Sequence, residues 1–245
     1  MDEPNNPGLW FDLHCHVLPH MDDGCKTCEE SARLLLESRK QGISGIAATP
    51  HYYPVESVEQ FLERREQSFE ELRAYLRQSE LTVPDLCLGA EVAYRKGICR
   101  EPLLDRLCYG ESEYLLLEMP FERWTSTVLR EVWEICYVWG LTPVIAHIER
   151  YMKYQNRKTL AELFEMDVLI QMNAEFYLNR WTRGKARRLV TNGTVHVIGS
   201  DSHNMDRRLP NLGPAVGQMK ADGLHAQLDE LRQNSRDIFA AALQD

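Results

Sequence analysis

Apolar residues recur along the chain in seven short, nearly continuous runs: Leu9–Leu13, Ile43–Thr49, Leu86–Val92, Tyr114–Met119, Pro143–Ile148, Val168–Asn173 and Val195–Ser200. Strands covered on both faces read this way in a parallel sheet, because neither face needs polar side chains. The stretches between them follow a helical period. Thr27 with Glu30 forms a capping-box pattern, and Ala32, Leu35 and Leu36 then share one face. Gly42 is placed to stop that helix. Ser57 with Gln60 opens a second, highly charged helix reaching about Glu80, and Thr125–Val138, Leu160–Glu165 and Lys185–Asn192 are further helical stretches. From Arg207 to Asp245 the helical pattern begins only at about Gly217. Seven strand–helix alternations predict an α/β fold, as a closed barrel or an open doubly wound sheet.

The chain has 245 residues with no low-complexity segment or Gly/Ser-rich linker, which suits a single domain over 1–245. Lys and Arg number 28 against 37 Asp and Glu, a net charge of −9, which argues against a nucleic-acid binder. No apolar run is long enough to cross a membrane, so no membrane insertion is expected. The opening MDEPNNPG lacks a basic region followed by an apolar one, so no secretory leader is expected. Seven cysteines, an odd number in so large a chain, read as reduced thiols of a cytoplasmic protein.

The polar residues at the ends of the apolar runs carry the chemistry. The first run leads into Asp12, His14 and His16, the second into His51, the third into Glu91 and the fourth into Glu118. The fifth leads into His147, the sixth into Asn173 and the seventh into Asp201 and His203. The C-terminal edge of a parallel sheet is where active sites are built. A lone His or Glu at a strand end is ordinarily a hydrogen-bonded loop residue, but His-x-His at a period of two sends both imidazoles to one side. A carboxylate cluster at that edge would repel itself without cations. Imidazole and carboxylate without thiolate suits Mn, Fe or Zn, and so many donors imply two or three ions.

Residues 12–24, DLHCHVLPHMDDG, resemble the first motif of the PHP (polymerase and histidinol phosphatase) superfamily. TPHYYP at 49–54, GAEV at 89–92, AHIERY at 146–151 and GSDSHN at 199–204 follow in the order of that family. The likeness spans roughly residues 9–215 and is greatest to bacterial manganese-dependent tyrosine-protein phosphatases of capsule and exopolysaccharide operons. It implies a distorted seven-stranded (β/α) barrel, TIM-barrel-like, with a three-metal site at its C-terminal mouth. Matched by motif, it implies one metal on His14, His16 and Asp201 with Glu91 bridging, a second on Glu91, Glu118 and His147, and a third on Asp23, His51 and His203. Asp23 lies in a loop beyond the first strand and is placed by the resemblance alone. Asp12 and Asp22 are then placed to orient imidazoles. Arg150 and Arg208 match positions that face the substrate phosphate in that family, with Arg207 adjacent to the second; a surface salt bridge is the plain alternative.

The resemblance implies hydrolysis of phosphotyrosine on a protein, with a bacterial tyrosine kinase tail as the partner. A PHP phosphoesterase for a small metabolite such as histidinol phosphate is the second reading, and a catalytically silent metal-binding docking module is the third. A metal-dependent amidohydrolase would place a modified lysine where Glu118 stands. Several features depart from the family or stand outside it. His20 replaces a small residue and is placed to reach a metal or the leaving group. NAEFYLNRW after the sixth run replaces a hydroxyl-rich sequence. Cys25 and Cys28 form an isolated CxxC, a weak redox or zinc signal. Arg180, Arg183, Lys185, Arg187 and Arg188 form either a docking patch for an acidic tail or a solvated helix face. Tyr52 and Tyr53 are rim or packing residues, and Trp10, Trp124, Trp133, Trp139 and Trp181 read as core or helix packing.

Overall fold

The structure, a computed structural model, describes residues 9–244. The expectation about a leader in MDEPNNPG falls on residues outside that range. The chain runs β1 (Trp10–Cys15), α1 (Cys28–Lys40), β2 (Ile43–Ala48), β3 (His51–Tyr52), α2 (Val58–Gln78), β4 (Asp85–Leu88) and β5 (Glu91–Ala93). It continues with β6 (Tyr114–Glu118), α3 (Ser126–Tyr137), β7 (Thr142–Ile145), α4 (Arg157–Phe164), β8 (Leu169–Asn173), α5 (Ala174–Leu178), α6 (Arg183–Thr191), β9 (Val197–Gly199), α7 (Leu212–Ala221) and α8 (His225–Ala242).

Every ladder is parallel. The strands form a three-stranded sheet, β1-β2-β4, and a curled six-stranded sheet, β3-β5-β6-β7-β8-β9. The seven continuous strands expected from the sequence are therefore nine shorter ones. The second run ends at Thr49, and after Pro50, which has no N–H for a ladder, the chain adds the short strand β3 that the runs did not include; the third run breaks at Gly89-Ala90. Backbone hydrogen bonds still cross the breaks, from Gly89 N to Ala48 O (2.9 Å) and from Glu91 N to Pro50 O (3.0 Å). On the opposite side, Cys15 and Ser202 form an isolated parallel bridge, and His16 N donates to Ser202 O (2.9 Å).

α1, α2 and α3 start where the sequence indicates, while α4 starts at Arg157 instead of Leu160 and α6 at Arg183 instead of Lys185. Thr27 accepts from Glu30 N at the head of α1. The return bond from the Glu30 carboxylate lands on Lys26 N rather than Thr27 N (2.7 Å), so the box closes one residue early. Ser57 and Gln60 complete both arms of theirs. Two departures follow from local chemistry. The segment NAEFYLNRW after the sixth run, for which the sequence predicts no element, folds into the short helix α5. Helicity near the C-terminus begins at Leu212, not Gly217, because Pro214 sits in the first turn of α7, where its missing N–H costs nothing.

Leu13, Ala47, Cys87, Leu116, Val144 and Val197, one from each of six strands, pack together inside the sheets. α8 lies beneath them and adds Ile238, Phe239 and Ala242 to the same core. Gly45 permits that approach: a Cβ there would stand 2.6 Å from the Phe239 ring and 2.7 Å from the Phe11 ring. Of the tryptophans expected in the core or in helix packing, Trp10 and Trp124 are buried, Trp133 packs half-exposed against Tyr137 on α3, and Trp181 is exposed. With the far end filled by α8, the strand C-termini remain to carry polar side chains.

Candidate metal centre

His14 leaves β1 and His16 follows two residues later, so their rings face one another as the period predicts, with Nε2 atoms 3.3 Å apart. Each ring is tied at its other nitrogen. His16 Nδ1 lies 2.7 Å from Asp22 Oδ2, and His14 Nδ1 lies 3.3 Å from Gln171 Oε1. Partners that only accept require protons on Nδ1, so two Nε2 lone pairs converge. Glu91, at the start of β5, sends Oε2 to within 3.3 Å of both Nε2 atoms, and Asp201 Oδ1 lies 3.5 Å from each.

The other side chains extend the cluster from Glu91. His51 Nδ1 lies 2.9 Å from Glu91 Oε2 and His147 Nε2 lies 2.8 Å from Glu91 Oε1. Glu118, ending β6, lies 3.5 Å from His147 Nε2. Asp23 reaches His203 Nε2 at 3.2 Å and His51 Nε2 at 3.7 Å. Among the described residues, three groups bring donor atoms together closely enough to hold a cation: His14, His16 and Asp201; His16, Asp23, His51 and His203; and His51, Glu91 and Glu118. The implied trios recur with two differences. His16 joins the Asp23 group, and His51 stands with Glu91 and Glu118, while His147 touches both carboxylates from beside them.

The donor set fits divalent cations. Glu91 Oε2 and His51 Nδ1 are buried without a hydrogen-bond partner, the condition a cation relieves. Burial opposes charge at Glu91, but His14, His147 and His16 hold it well below the usual carboxylate range. Burial likewise opposes charge at Asp201, where His14 and His16 hold it well down. Burial opposes the imidazolium at His16, but Asp22, Asp201 and Glu91 outweigh it and raise the group well above its ordinary value. His147 shows the same contest, won by Glu118 and Glu91, and rises to about 9. His203 goes the other way, lowered by burial and then by His16 and Arg208. The field therefore favours positive charge around Glu91 and Asp201 and opposes it at His203, beside His16 and Arg208.

Two of these residues sit on strained backbone. His147 and Asp201 have φ of 32° and 52°, left-handed values that cost about 1–3 kcal/mol each away from glycine. Fixed bonds hold both turns, from His147 N to Gln171 Oε1 (2.6 Å) and from Asp201 N to His14 O (2.8 Å).

Both arginines converge on one carboxylate. Arg150 Nη2 lies 2.7 Å from Asp201 Oδ2 and Arg208 Nη2 lies 2.6 Å from Asp201 Oδ1. Arg208, not Arg207, turns inward, because Asn204 Oδ1 accepts the backbone N–H groups of Asp206, Arg207 and Arg208 and folds the loop. Asn173 donates to Asp201 Oδ2 (2.7 Å), which makes it a partner of a donor residue and not a member of the three groups. Beside them opens a cavity of about 510 Å³ lined by Arg150, Asn173, Thr182, Asp201 and Arg208.

Several sequence expectations change. Asp12 accepts from the backbone of His14 (3.3 Å) and Ser200 (2.9 Å), so it braces strands instead of orienting an imidazole. His20 is exposed and lines a separate hollow with Arg64 and Glu71, with no side-chain bond to the cluster among the described residues. Cys25 and Cys28 are free, and burial raises both thiols, Cys25 to about 11, which is unlike a reactive pair. In the basic segment, Arg183 donates to the Tyr177 and Leu178 carbonyls and Arg187 to Asp222 O, so part of it serves the fold. Tyr52 is core, while Tyr53 is at the rim. Gln171, Phe121 and the half-buried Glu149, which desolvation raises to about 7, carry no sequence signal that singles them out.

A parallel α/β fold whose strand ends gather imidazoles, carboxylates and two arginines defines a metal-dependent hydrolase in type. Comparison makes this particular: the chain belongs to the capsular polysaccharide synthesis CpsB/CapC family, whose model matches residues 10–239. It is 30% identical over 218 residues to the tyrosine-protein phosphatase CpsB of Streptococcus pneumoniae, covering 84% of this chain and 87% of that one. It is 28% identical over 204 residues to the tyrosine-protein phosphatase YwqE of Bacillus subtilis, covering 81% and 79%. It also superposes on a crystal structure from work on YwqE and CpsB, described as unique metal-dependent tyrosine phosphatases, with a TM-score of 0.83 at 24% identity over 94% of each chain.

Proposed function

We propose that this chain is a metal-dependent protein-tyrosine phosphatase that removes phosphate from a phosphotyrosine protein in capsule or exopolysaccharide synthesis. The convergence of Arg150 and Arg208 on Asp201 beside the imidazole–carboxylate cluster carries this reading. The names of the relatives support it. The proposed substrate is the tail of a bacterial tyrosine kinase, met in the cytoplasm. Among the described residues no helix is long and apolar enough to cross a membrane.

The metal ligands in this reading are His14, His16, Asp23, His51, Glu91, Glu118, His147, Asp201 and His203, holding two or three ions. Manganese is the proposed ion, with iron or zinc compatible with the same donors. When bound, such ions supply Lewis acidity that readies water for attack and offsets charge on the phosphoryl oxygens. The chain's own residues supply the rest. Asp22 and Gln171 fix the rings of His16 and His14, so their Nε2 lone pairs stay aimed inward. Arg150 and Arg208 stay partly exposed while Asp201 holds their orientation, which leaves guanidinium N–H groups for phosphoryl oxygens. No thiol is called upon, since the cysteine thiols nearest the mouth are buried and protonated. A phenolate leaves more readily than a serine alkoxide, so tyrosine needs less help from a general acid. The two parallel sheets are proposed to act as one distorted seven-stranded barrel over the single domain 1–245, with β2–β3 and β4–β5 each counting as one interrupted strand.

The mouth cavity is also large enough for a small phosphate ester such as histidinol phosphate. One assay separates the readings: phosphate release by the manganese-loaded chain from a phosphotyrosine peptide, a phosphoserine peptide and histidinol phosphate, with and without chelator. Chelator-sensitive preference for phosphotyrosine is expected, and Arg150→Ala or Arg208→Ala should lower kcat/KM by about 10²–10³-fold. Preference for histidinol phosphate would replace the substrate. No turnover by a metal-loaded chain would sink the enzymatic reading and favour a silent docking module.

A further inference from the structure

Two aromatic side chains flank the cluster and are not used by the chemistry above. Tyr53 stacks on His51, with ring centroids 5.1 Å apart and planes 26° apart. Phe121, just after β6, stacks on His147 at 5.9 Å and 19°. The two histidines sit on opposite oxygens of Glu91, at 2.9 and 2.8 Å. Tyr53 and Phe121 therefore stand on the two flanks of one carboxylate at the centre of the site.

Their exposure decides what they are for. Tyr53 is 48% exposed and Phe121 45%, although each lies against a buried or nearly buried imidazole. A side chain that only shielded a histidine would itself be covered. His147 already has such a neighbour in the fully buried Tyr151, with ring centroids 5.4 Å apart. Two apolar rings half in water beside a cluster of charges provide what that cluster lacks, a surface for an uncharged aromatic group attached to a phosphate.

We propose that Tyr53 and Phe121 are the aromatic walls that receive the ring of an aryl phosphate and so set its preference over alkyl phosphates. This rests on the phosphatase reading above and deepens it: the arginines and the metal centre accept any phosphoryl group, and the two rings choose the group behind it. Both are specificity-determining residues that leave the phosphoryl contacts alone.

The test is the binding of phenylphosphonate and methylphosphonate to the manganese-loaded full chain by calorimetry. Neither compound is hydrolysed, so the outcome does not depend on turnover. The wild type should bind phenylphosphonate at least about 10-fold more tightly than methylphosphonate. Tyr53→Ala and Phe121→Ala should each reduce that preference by about 3- to 10-fold. Methylphosphonate affinity should stay within about 2-fold in both variants, since its phosphonate contacts are unchanged. Tyr53→Phe, which keeps the ring, should keep the preference. Equal binding of the two phosphonates by the wild type, no measurable phenylphosphonate binding, or a preference unchanged in both alanine variants would overturn the proposal. So would a parallel loss of methylphosphonate affinity, which would make the rings supports of the histidines. Failure to hydrolyse a phosphotyrosine peptide, with the phenyl preference intact, would instead count against the phosphatase reading.

Discussion

Glu91 is answerable to four imidazoles, with His14 and His16 at 3.3 Å, His51 at 2.9 Å and His147 at 2.8 Å. A buried carboxylate so surrounded depends on the rings staying in place, and Asp22 holds one of them. Its Oδ2 faces His16 Nδ1 at 2.7 Å and also accepts from His51 N at 2.8 Å, so one side chain fixes a ring and the strand carrying another. Asp22→Asn keeps the shape but offers His16 an amide in place of a full charge. Metal affinity, measured by chelator competition, should fall about 10- to 100-fold; an unchanged affinity would mean Asp22 serves only the loop. This scale was only partly legible in the sequence. The period of two at His14 and His16 foretold their common side, since alternation is a property of one strand. Asp23 escaped the strand-end logic because it reaches His203 from a loop. Gln171 escaped because its contacts, to His14 and His147, cross to two other strands. Phe121 looks in sequence like any loop phenylalanine until the chain folds it over His147.

At the scale of elements, the apolar runs marked every strand region except β3, because a strand covered on both faces must be apolar throughout. They could not show that a further short strand follows Pro50, where polar residues end the second run, or that Gly89 interrupts the third, which stays apolar across its break. Those interruptions have a positional effect: β3 and β5 begin with His51 and Glu91, so both side chains stand at the head of a new strand segment. α8 was legible as a helix, but its place beneath the sheets was not, because that depends on the absent side chain at Gly45. Gly45→Ala forces a methyl group into the Phe239 and Phe11 rings. Overpacking there should destabilise the chain by about 1–3 kcal/mol in urea unfolding. A loss below about 0.5 kcal/mol would mean that α8 is free to step back.

Across the whole molecule, the cluster draws on β1, β3, β5, β6 and the segments after β7 and β9. A cation bound there links elements from both sheets, so its binding energy appears as folding stability. At a metal concentration 1,000 times Kd the gain is about 4 kcal/mol. For a chain of this size that corresponds to a Tm about 8–16 °C higher than in the stripped protein. Equal melting with manganese and with chelator would show that the cluster holds no cation in the folded state. The net charge of −9 sharpens the expectation, since cations also relieve the repulsion of an acidic chain.

The bridge between Cys15 and Ser202 joins the two ends of the cluster, and it has a meaning for the life of the chain. His14 precedes Asp201 by 201 − 14 = 187 residues, so it leaves the ribosome well before Asp201 and His203. At ordinary rates of synthesis, about 5–20 residues per second, the first donors wait about 10–40 s for the last. A nascent or prematurely terminated chain thus carries imidazoles and carboxylates but lacks Asp201 and the turn that aims both arginines. On the proposed ligand set, dephosphorylating activity is therefore expected only once translation has passed the final strand, all at once and never by instalments.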